Sequence, residues 1–232
     1  MPISLANRPA PSPPEPRVYS RAERLSDAAL HVTGLGAALA AVPVLVVLAA
    51  LLRGDAPSIV GTSVYGVTLL AMILCSALFN MIARPDWAWL LQRLDHAAIY
   101  LKIAGTYTPF ALMTGEGGGL ALAIWAAAAV GVGLKLLSPR RFRPLALTLY
   151  LGMGWAAGLA GQAMLATLPA PVQTLMLTGG AIYSLGVVFY LWERLRFHYT
   201  LWHLCVLTAT AVFYVAILLL TLQGGPMGLP VT

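Results

Sequence analysis

The sequence predicts an all-α membrane protein: a bundle of seven transmembrane helices, with its N-terminus in the cytoplasm and its C-terminus outside. Three observations predict it. The 232-residue chain is 59% hydrophobic and only 9% charged, with a mean hydropathy of +0.82, whereas an ordinary soluble domain carries roughly 25% charged residues. Apolar runs of about 20 residues, the length that crosses a bilayer, recur from residue 28 onward, separated by short breaks that hold Arg, Pro, Gly or Asp. The positive charges fall almost entirely in alternate breaks. The formal charge of +6 therefore reads as membrane topology rather than as a basic surface for nucleic acid, which would need the charges gathered on one water-facing side. Membrane lipids are the expected partners, and nucleic acid is not.

Taken in order, residues 1–27 form a proline-rich cytoplasmic arm, with Pro2, Pro9, Pro11, Pro13, Pro14 and Pro16 crowding out any regular element. The first apolar run follows a polar stretch and is long enough to span, so the arm is expected to stay attached rather than be cleaved as a signal peptide. The transmembrane domain is expected over 28–222, in spans at about 28–52, 61–83, 92–114, 118–138, 144–168, 173–193 and 199–222, with a short external tail at 223–232. Cytoplasmic loops are enriched in Lys and Arg. Arg8, Arg17, Arg21 and Arg24 in the arm, Arg84 and Arg93 in the second break, Arg140, Arg141 and Arg143 in the fourth, and Arg194 and Arg196 in the sixth all lie on one side, against Arg53 alone on the other. That side is the cytoplasm. Glycines in the fifth and sixth spans (Gly152, Gly154, Gly158, Gly161, Gly179 and Gly180) are expected to let helix backbones approach closely. Cys75 and Cys205 lie inside apolar runs, where a cysteine is a small packing residue.

Ionisable side chains inside a bilayer call for a functional or paired role. Asp95 and His96 open the third span on its cytoplasmic side, His203 lies a turn into the seventh, Asn80 a turn before the end of the second, and His31 early in the first. Topology brings them to one depth. They read either as hydrogen-bonded interfacial groups or as a metal or catalytic cluster of the kind helical bundles build on facing helices. Lys102 lies seven residues after Asp95 on roughly the same helix face, and an inward-facing partner is expected for it. Tyr107, Tyr150, Tyr183 and Gln162 are expected to make inter-helix hydrogen bonds.

The run Arg93-Leu94-Asp95-His96-Ala97-Ala98-Ile99-Tyr100, followed by Ile103-Ala104-Gly105-Thr106-Tyr107-Thr108-Pro109-Phe110, resembles the signature of the hemolysin III family, the bacterial branch of the adiponectin receptor (progestin and adipoQ receptor) superfamily. Further pieces agree in order: Glu23-Arg24 with Asp27 and His31, Ser76 to Phe79, Tyr150 to Trp155, Gly179 to Tyr183, and Trp202-His203-Leu204. The resemblance implies a seven-helix bundle in the cytoplasmic membrane of a bacterium. It also implies a zinc site near the cytoplasmic face, made by one histidine of the second span and two spaced four apart in the seventh, with the third-span Asp handling water and protons. Relatives are accordingly grouped with ceramidase-like intramembrane hydrolases.

This sequence departs from that pattern where the metal would sit. Asn80 and Tyr199 stand at two of the three ligand positions, and only His203 is retained. An amide and a phenol are poor substitutes for imidazole on zinc. His198 lies five residues from His203, about 140° round the helix, so it does not repair the loss simply. Phe213 stands where the family has a later histidine. Two readings follow. In the first, adopted here as the sequence expectation, the zinc site is degenerate and leaves a polar cluster of Ser76, Asn80, Asp95, Tyr199 and His203, with Lys102 compensating Asp95. In the second, a metal persists in an altered shell drawn from Asp95, His203 and His96 or His31. The corresponding functions are a non-catalytic membrane protein sensing or adjusting bilayer lipids, and a zinc-dependent lipid amide hydrolase in which Asp95 and Ser76 are catalytic. A pore-forming or channel protein is a third class, although the spans lack rings of repeated charge.

Overall fold

The computed structural model describes residues 19–82, 85–137 and 143–223. The first eighteen residues of the expected arm, residues 224–232 of the expected tail, and Arg84, Arg140 and Arg141 lie outside the described residues. Among the described residues the chain is all helical.

Helix α1 (Arg21–Leu48) starts seven residues earlier than the apolar run suggests. The cause is local: the Ser20 hydroxyl accepts from the Glu23 N–H at 3.2 Å while the Glu23 carboxylate accepts from the Ser20 N–H at 2.9 Å. This reciprocal pair is a capping box, and it draws the last residues of the expected arm into the helix. The helix runs on through a π-helical turn at Ala49–Arg53 and stops at Gly54, whose φ of 67° is a conformation that costs glycine little. Asp55 caps α2 (Ala56–Met81), accepting from the Ser58 N–H at 2.8 Å. Slight burial pushes the Asp55 carboxyl up, but its hydrogen bonds from Ser58 and Arg53 outweigh that and hold it below the usual carboxylate range.

Helices α3 (Pro85–Thr114), α4 (Gly118–Leu137), α5 (Arg143–Ala160), α6 (Gln162–Thr167), α7 (Ala170–Leu191) and α8 (His198–Gln223) follow. The expected fifth span is thus two helices, broken at Gly161. One glutamine bonds a carbonyl beside this break and another bonds carbonyls at the end of α6. Gln162 Nε2 donates to the Gly158 carbonyl at 2.7 Å, and Gln173 Nε2 donates to the Leu165 and Leu168 carbonyls at 3.0 and 2.8 Å.

Among the described residues five helices are long and apolar enough to cross a membrane: the continuous Arg21–Arg53 segment, α2, α4, α7 and α8. The chain is therefore a multi-pass membrane protein. Helix α3 is different in kind. It touches α2, α4, α5, α6 and α8, and it buries Asp95, Lys102, Thr106 and Thr108. A helix surrounded by other helices presents little surface to lipid and can carry polar side chains that a lipid-facing helix cannot. Helix α1 packs on both α2 and α8, so the first helix meets the last and closes the bundle.

Close approach is set by small residues, as expected, at Gly161 and Gly179 and at further positions. A Cβ on Gly61 would lie 2.8 Å from the Pro109 Cα, which is how α2 packs flush against α3. Of the glycines singled out in the sequence, Gly179 packs against Phe213, whereas Gly152, Gly154 and Gly158 meet nothing within 4 Å. Gly154 and Gly158 instead border the cavity described below.

Gly61→Ala should therefore destabilise the protein by about 1–3 kcal/mol, the usual cost of overpacking against a backbone that cannot yield, and lower its unfolding temperature in detergent. Gly152→Ala, with open space at its Cβ, should leave that temperature unchanged.

Candidate functional site

The polar side chains converge between α1, α2, α3 and α8. Asp27 and His31 are successive turns of α1, and both are buried. The His203 Nδ1–H donates to Asp27 Oδ1 at 2.5 Å, joining α8 to α1. His31 and His203 meet edge to face, with ring centroids 4.5 Å apart. His31 Nδ1 lies 2.8 Å from the Asp27 main-chain carbonyl. A carbonyl only accepts, so Nδ1 carries the proton and Nε2 carries the lone pair. Nε2 is 3.1 Å from the Ser76 hydroxyl, which donates to it. Asp95, buried in α3, lines the same cavity wall as Ser76.

One ligand atom each from Asp27, His31 and His203 lie within 4.8 Å of one another. Two imidazoles and a carboxylate are a recognised zinc donor set with a position left open. The backbone carbonyl on His31 Nδ1–H is the outer partner that fixes the tautomer of a metal-binding histidine. The residues present therefore fit a metal ion. Asp27 and His31 are buried and His203 is partly buried, and α1 and α8 supply the whole group.

Of the residues expected here, the structure brings together His31, His203, Ser76 and Asp95. Tyr199 stays at the edge of the group: its ring packs on His203 with centroids 5.0 Å apart. Asn80 does not join. Its amide folds back to donate to the Ser76 carbonyl at 2.9 Å. His96 does not join either; it faces Phe79, and its carbonyl accepts from the Tyr150 hydroxyl at 3.1 Å. Lys102 does not pair with Asp95 as expected. Its ammonium donates to the Tyr183 hydroxyl at 2.7 Å, on α7. Asp27 is the residue that sequence reasoning missed as a ligand, because it was assigned to the arm. Its signal was the spacing of four to His31, which places both on one helix face.

Four contacts hold the start of α1 on α8. The Ser26 and Thr200 hydroxyls are 3.1 Å apart, the Tyr19 hydroxyl is 3.2 Å from His198 Nε2, and the Phe197 N–H donates to Glu23 Oε1 at 3.1 Å. Phe197 has a φ of 60°, a strained conformation for a residue with a side chain, and the Glu23 carboxylate holds it there. The Asp27–His203 bond is the fourth contact.

The cluster borders a cavity of about 210 Å³ running between α3, α5, α7 and α8. Ser76, Asp95, Tyr199 and His203 line it at the polar end, and Phe110, Leu165 and Gln173 line it farther along. Leu151, Trp155 and Leu177 also line it while being 37%, 37% and 58% exposed on the outer surface. The cavity thus reaches the lipid-facing surface between α5 and α7.

Comparison with known proteins agrees with this architecture. A family model described as Haemolysin-III related matches residues 21–214. The chain is 39% identical over 201 residues to Hemolysin-3 of Bacillus cereus, covering 84% of this chain and 90% of that protein. It is 34% identical over 204 residues to the Hemolysin-3 homolog of Bacillus subtilis (strain 168), covering 87% and 95% respectively. The monocyte to macrophage differentiation factor of Homo sapiens is 34% identical over 169 residues, covering 66% of this chain and 67% of that protein.

Proposed function

Because this chain belongs to the haemolysin-III related family, we propose that it is a lipid-handling protein of a bacterial cytoplasmic membrane that holds a zinc ion at Asp27, His31 and His203. The observation that carries this reading is the placement of three ligand atoms within 4.8 Å beside the polar end of a cavity open to lipid. It is the altered shell of the two sequence readings, with Asp27 in the place expected of Asp95. When bound, the ion supplies Lewis acidity towards a lipid carbonyl.

A second, catalytic reading is favoured by Ser76 and Asp95, which flank the cluster from α2 and α3 and line the same end of the cavity. The Asp95 carboxylate would take up and return a proton during hydrolysis of a lipid amide, and the Ser76 hydroxyl, released from His31 Nε2 when that nitrogen holds the ion, would orient the reacting group. The Tyr199 ring would keep bulk water from that end. Helix α3 and the α5–α6 pair complete seven spans with the five long apolar helices, and the Arg distribution orients the N-terminus to the cytoplasm.

Elemental analysis of the purified protein should find about one zinc per chain. Asp27→Asn and His203→Gln should each lower its retention at least tenfold, within the roughly 10–100-fold range that loss of a supporting contact costs a metal site. Wild-type protein that binds no zinc on titration would overturn the metal assignment. Release of fatty acid from an N-acyl lipid by wild-type protein but not by Asp95→Asn would establish the catalytic reading, and absence of release would sink that reading alone. For the topology, alkaline phosphatase fused to the C-terminus should be active in cells; an inactive fusion with normal expression would contradict an odd number of spans.

A further inference from the structure

Lys102 lies seven residues beyond Asp95 on α3, about 10 Å along the helix at 1.5 Å per residue, and takes no part in the metal-capable group. It is 3% exposed and lines the cavity wall. One acceptor meets its ammonium: the Tyr183 hydroxyl at 2.7 Å, which also bonds Thr210 Oγ1 at 2.8 Å. An ammonium carries three N–H donors, so two are left over. Among the described residues no carboxylate forms an ion pair with it. Asp95, the counter-ion suggested by the sequence, does not supply the opposite charge. Lys135, the other lysine on the cavity wall, has an interaction of its own. Lys102 is therefore a fixed positive charge with spare donors at a depth where water is scarce, and an anion is strongly favoured beside it.

The surroundings of the two spare donors decide which anion fits. The ring centroids of Tyr65, Tyr183 and Phe213 lie 6.0, 4.9 and 5.4 Å from Nζ. These rings offset part of the cost of burying the cation, but their hydroxyls are already engaged. The Tyr65 hydroxyl donates to the Thr210 carbonyl at 3.5 Å, and the Tyr183 hydroxyl is held between Lys102 and Thr210. An anion seated here trades its water shell for two charged N–H donors and apolar carbon. The attraction of one buried cation covers that trade for an ion that carries a single charge and holds water weakly. A doubly charged oxyanion would keep one charge uncompensated, and fluoride would give up a tight hydration shell that two donors do not replace.

We propose that Lys102 seats one weakly hydrated monovalent inorganic anion of the halide class, with chloride as its common member and bromide, which sheds water more easily, as the tighter ligand. The anion supplies the counter-charge at the point where Lys102 of α3 meets Tyr183 of α7 and Thr210 of α8, so its binding stabilises the folded bundle by mass action. The seat is separate from the Asp27–His31–His203 group and stands whether or not a metal is held there.

The test uses full-length protein in neutral phosphatidylcholine nanodiscs, purified into halide-free sulfate buffer, with sodium chloride, bromide or fluoride added at constant ionic strength. The chlorine-35 resonance of chloride should broaden in the presence of wild-type protein, and bromide should remove that broadening at a lower concentration than fluoride by at least tenfold. Chloride should also raise the unfolding temperature saturably, and fluoride should not. Lys102→Met should lose at least tenfold in chloride affinity, Lys102→Arg should retain it, and Asp27→Asn should behave like wild type. Absence of broadening by wild-type protein, or its removal by fluoride as readily as by bromide, overturns the proposal, as does undiminished broadening by Lys102→Met or its loss in Asp27→Asn. Should Lys102→Met fail to fold, the comparison of bromide with fluoride on wild-type protein decides alone.

Discussion

The hydrogen bond between His203 on α8 and Asp27 on α1 is the contact on which the site depends. Lipid gives helices no hydrophobic reason to associate, so packing and polar contacts across helix faces must specify which helix meets which. Here the contact joins the first helix to the last. It places Asp27, His31 and His203 together, and it lies among supports that act in the same direction: Glu23 on the Phe197 N–H, Ser26 against Thr200, and Tyr19 against His198. Glu23 serves two ends of the molecule. It completes the capping box that starts α1 and holds the strained residue that precedes α8. The metal-capable group is therefore a product of how the bundle closes and not of any one helix.

Helix α3 sets the second constraint. Because it is surrounded, its polar side chains face other helices or the cavity, and each finds a different solution. Asp95 lines the cavity with Ser76 at the metal-capable end. Thr106 and Thr108 return their hydroxyls to the carbonyls four residues back, at 2.8 and 2.9 Å. Lys102 turns to Tyr183 and the aromatic rings around it. Gly154 and Gly158 of α5 border the cavity rather than packing against a neighbouring helix, which leaves room for the opening between α5 and α7.

Much of this was legible in the sequence. Apolar run lengths gave the order of the long helices because bilayer thickness fixes their length, but α1 and α3 each begin seven residues before the apolar run that marks them. Span order alone put His31, Asp95 and His203 at one depth, and those three do converge, with Ser76 beside them. Depth says nothing about rotation, however. Asn80 and His96 share the depth but face elsewhere, and Lys102 shares a helix face with Asp95 yet reaches α7 instead. Asp27 escaped notice as a ligand because the proline-rich composition before it was extended too far, past a capping box at Ser20 and Glu23 that marks the true start of α1. The break at Gly161 lies inside a largely apolar run, where hydropathy carries no signal; beside it Gln162 bonds the Gly158 carbonyl.

The closure of the bundle by its first and last helices is open to direct measurement. Ser26 and Thr200 face each other with hydroxyl oxygens 3.1 Å apart, close enough for a disulfide between cysteines at those positions. With Cys75 and Cys205 replaced by alanine, Ser26→Cys together with Thr200→Cys should form an intramolecular disulfide rapidly and completely under mild oxidation in native membranes. A folded double variant that stays reduced, while either cysteine reacts readily with a maleimide, would place α1 and α8 apart and contradict the assembly of the site.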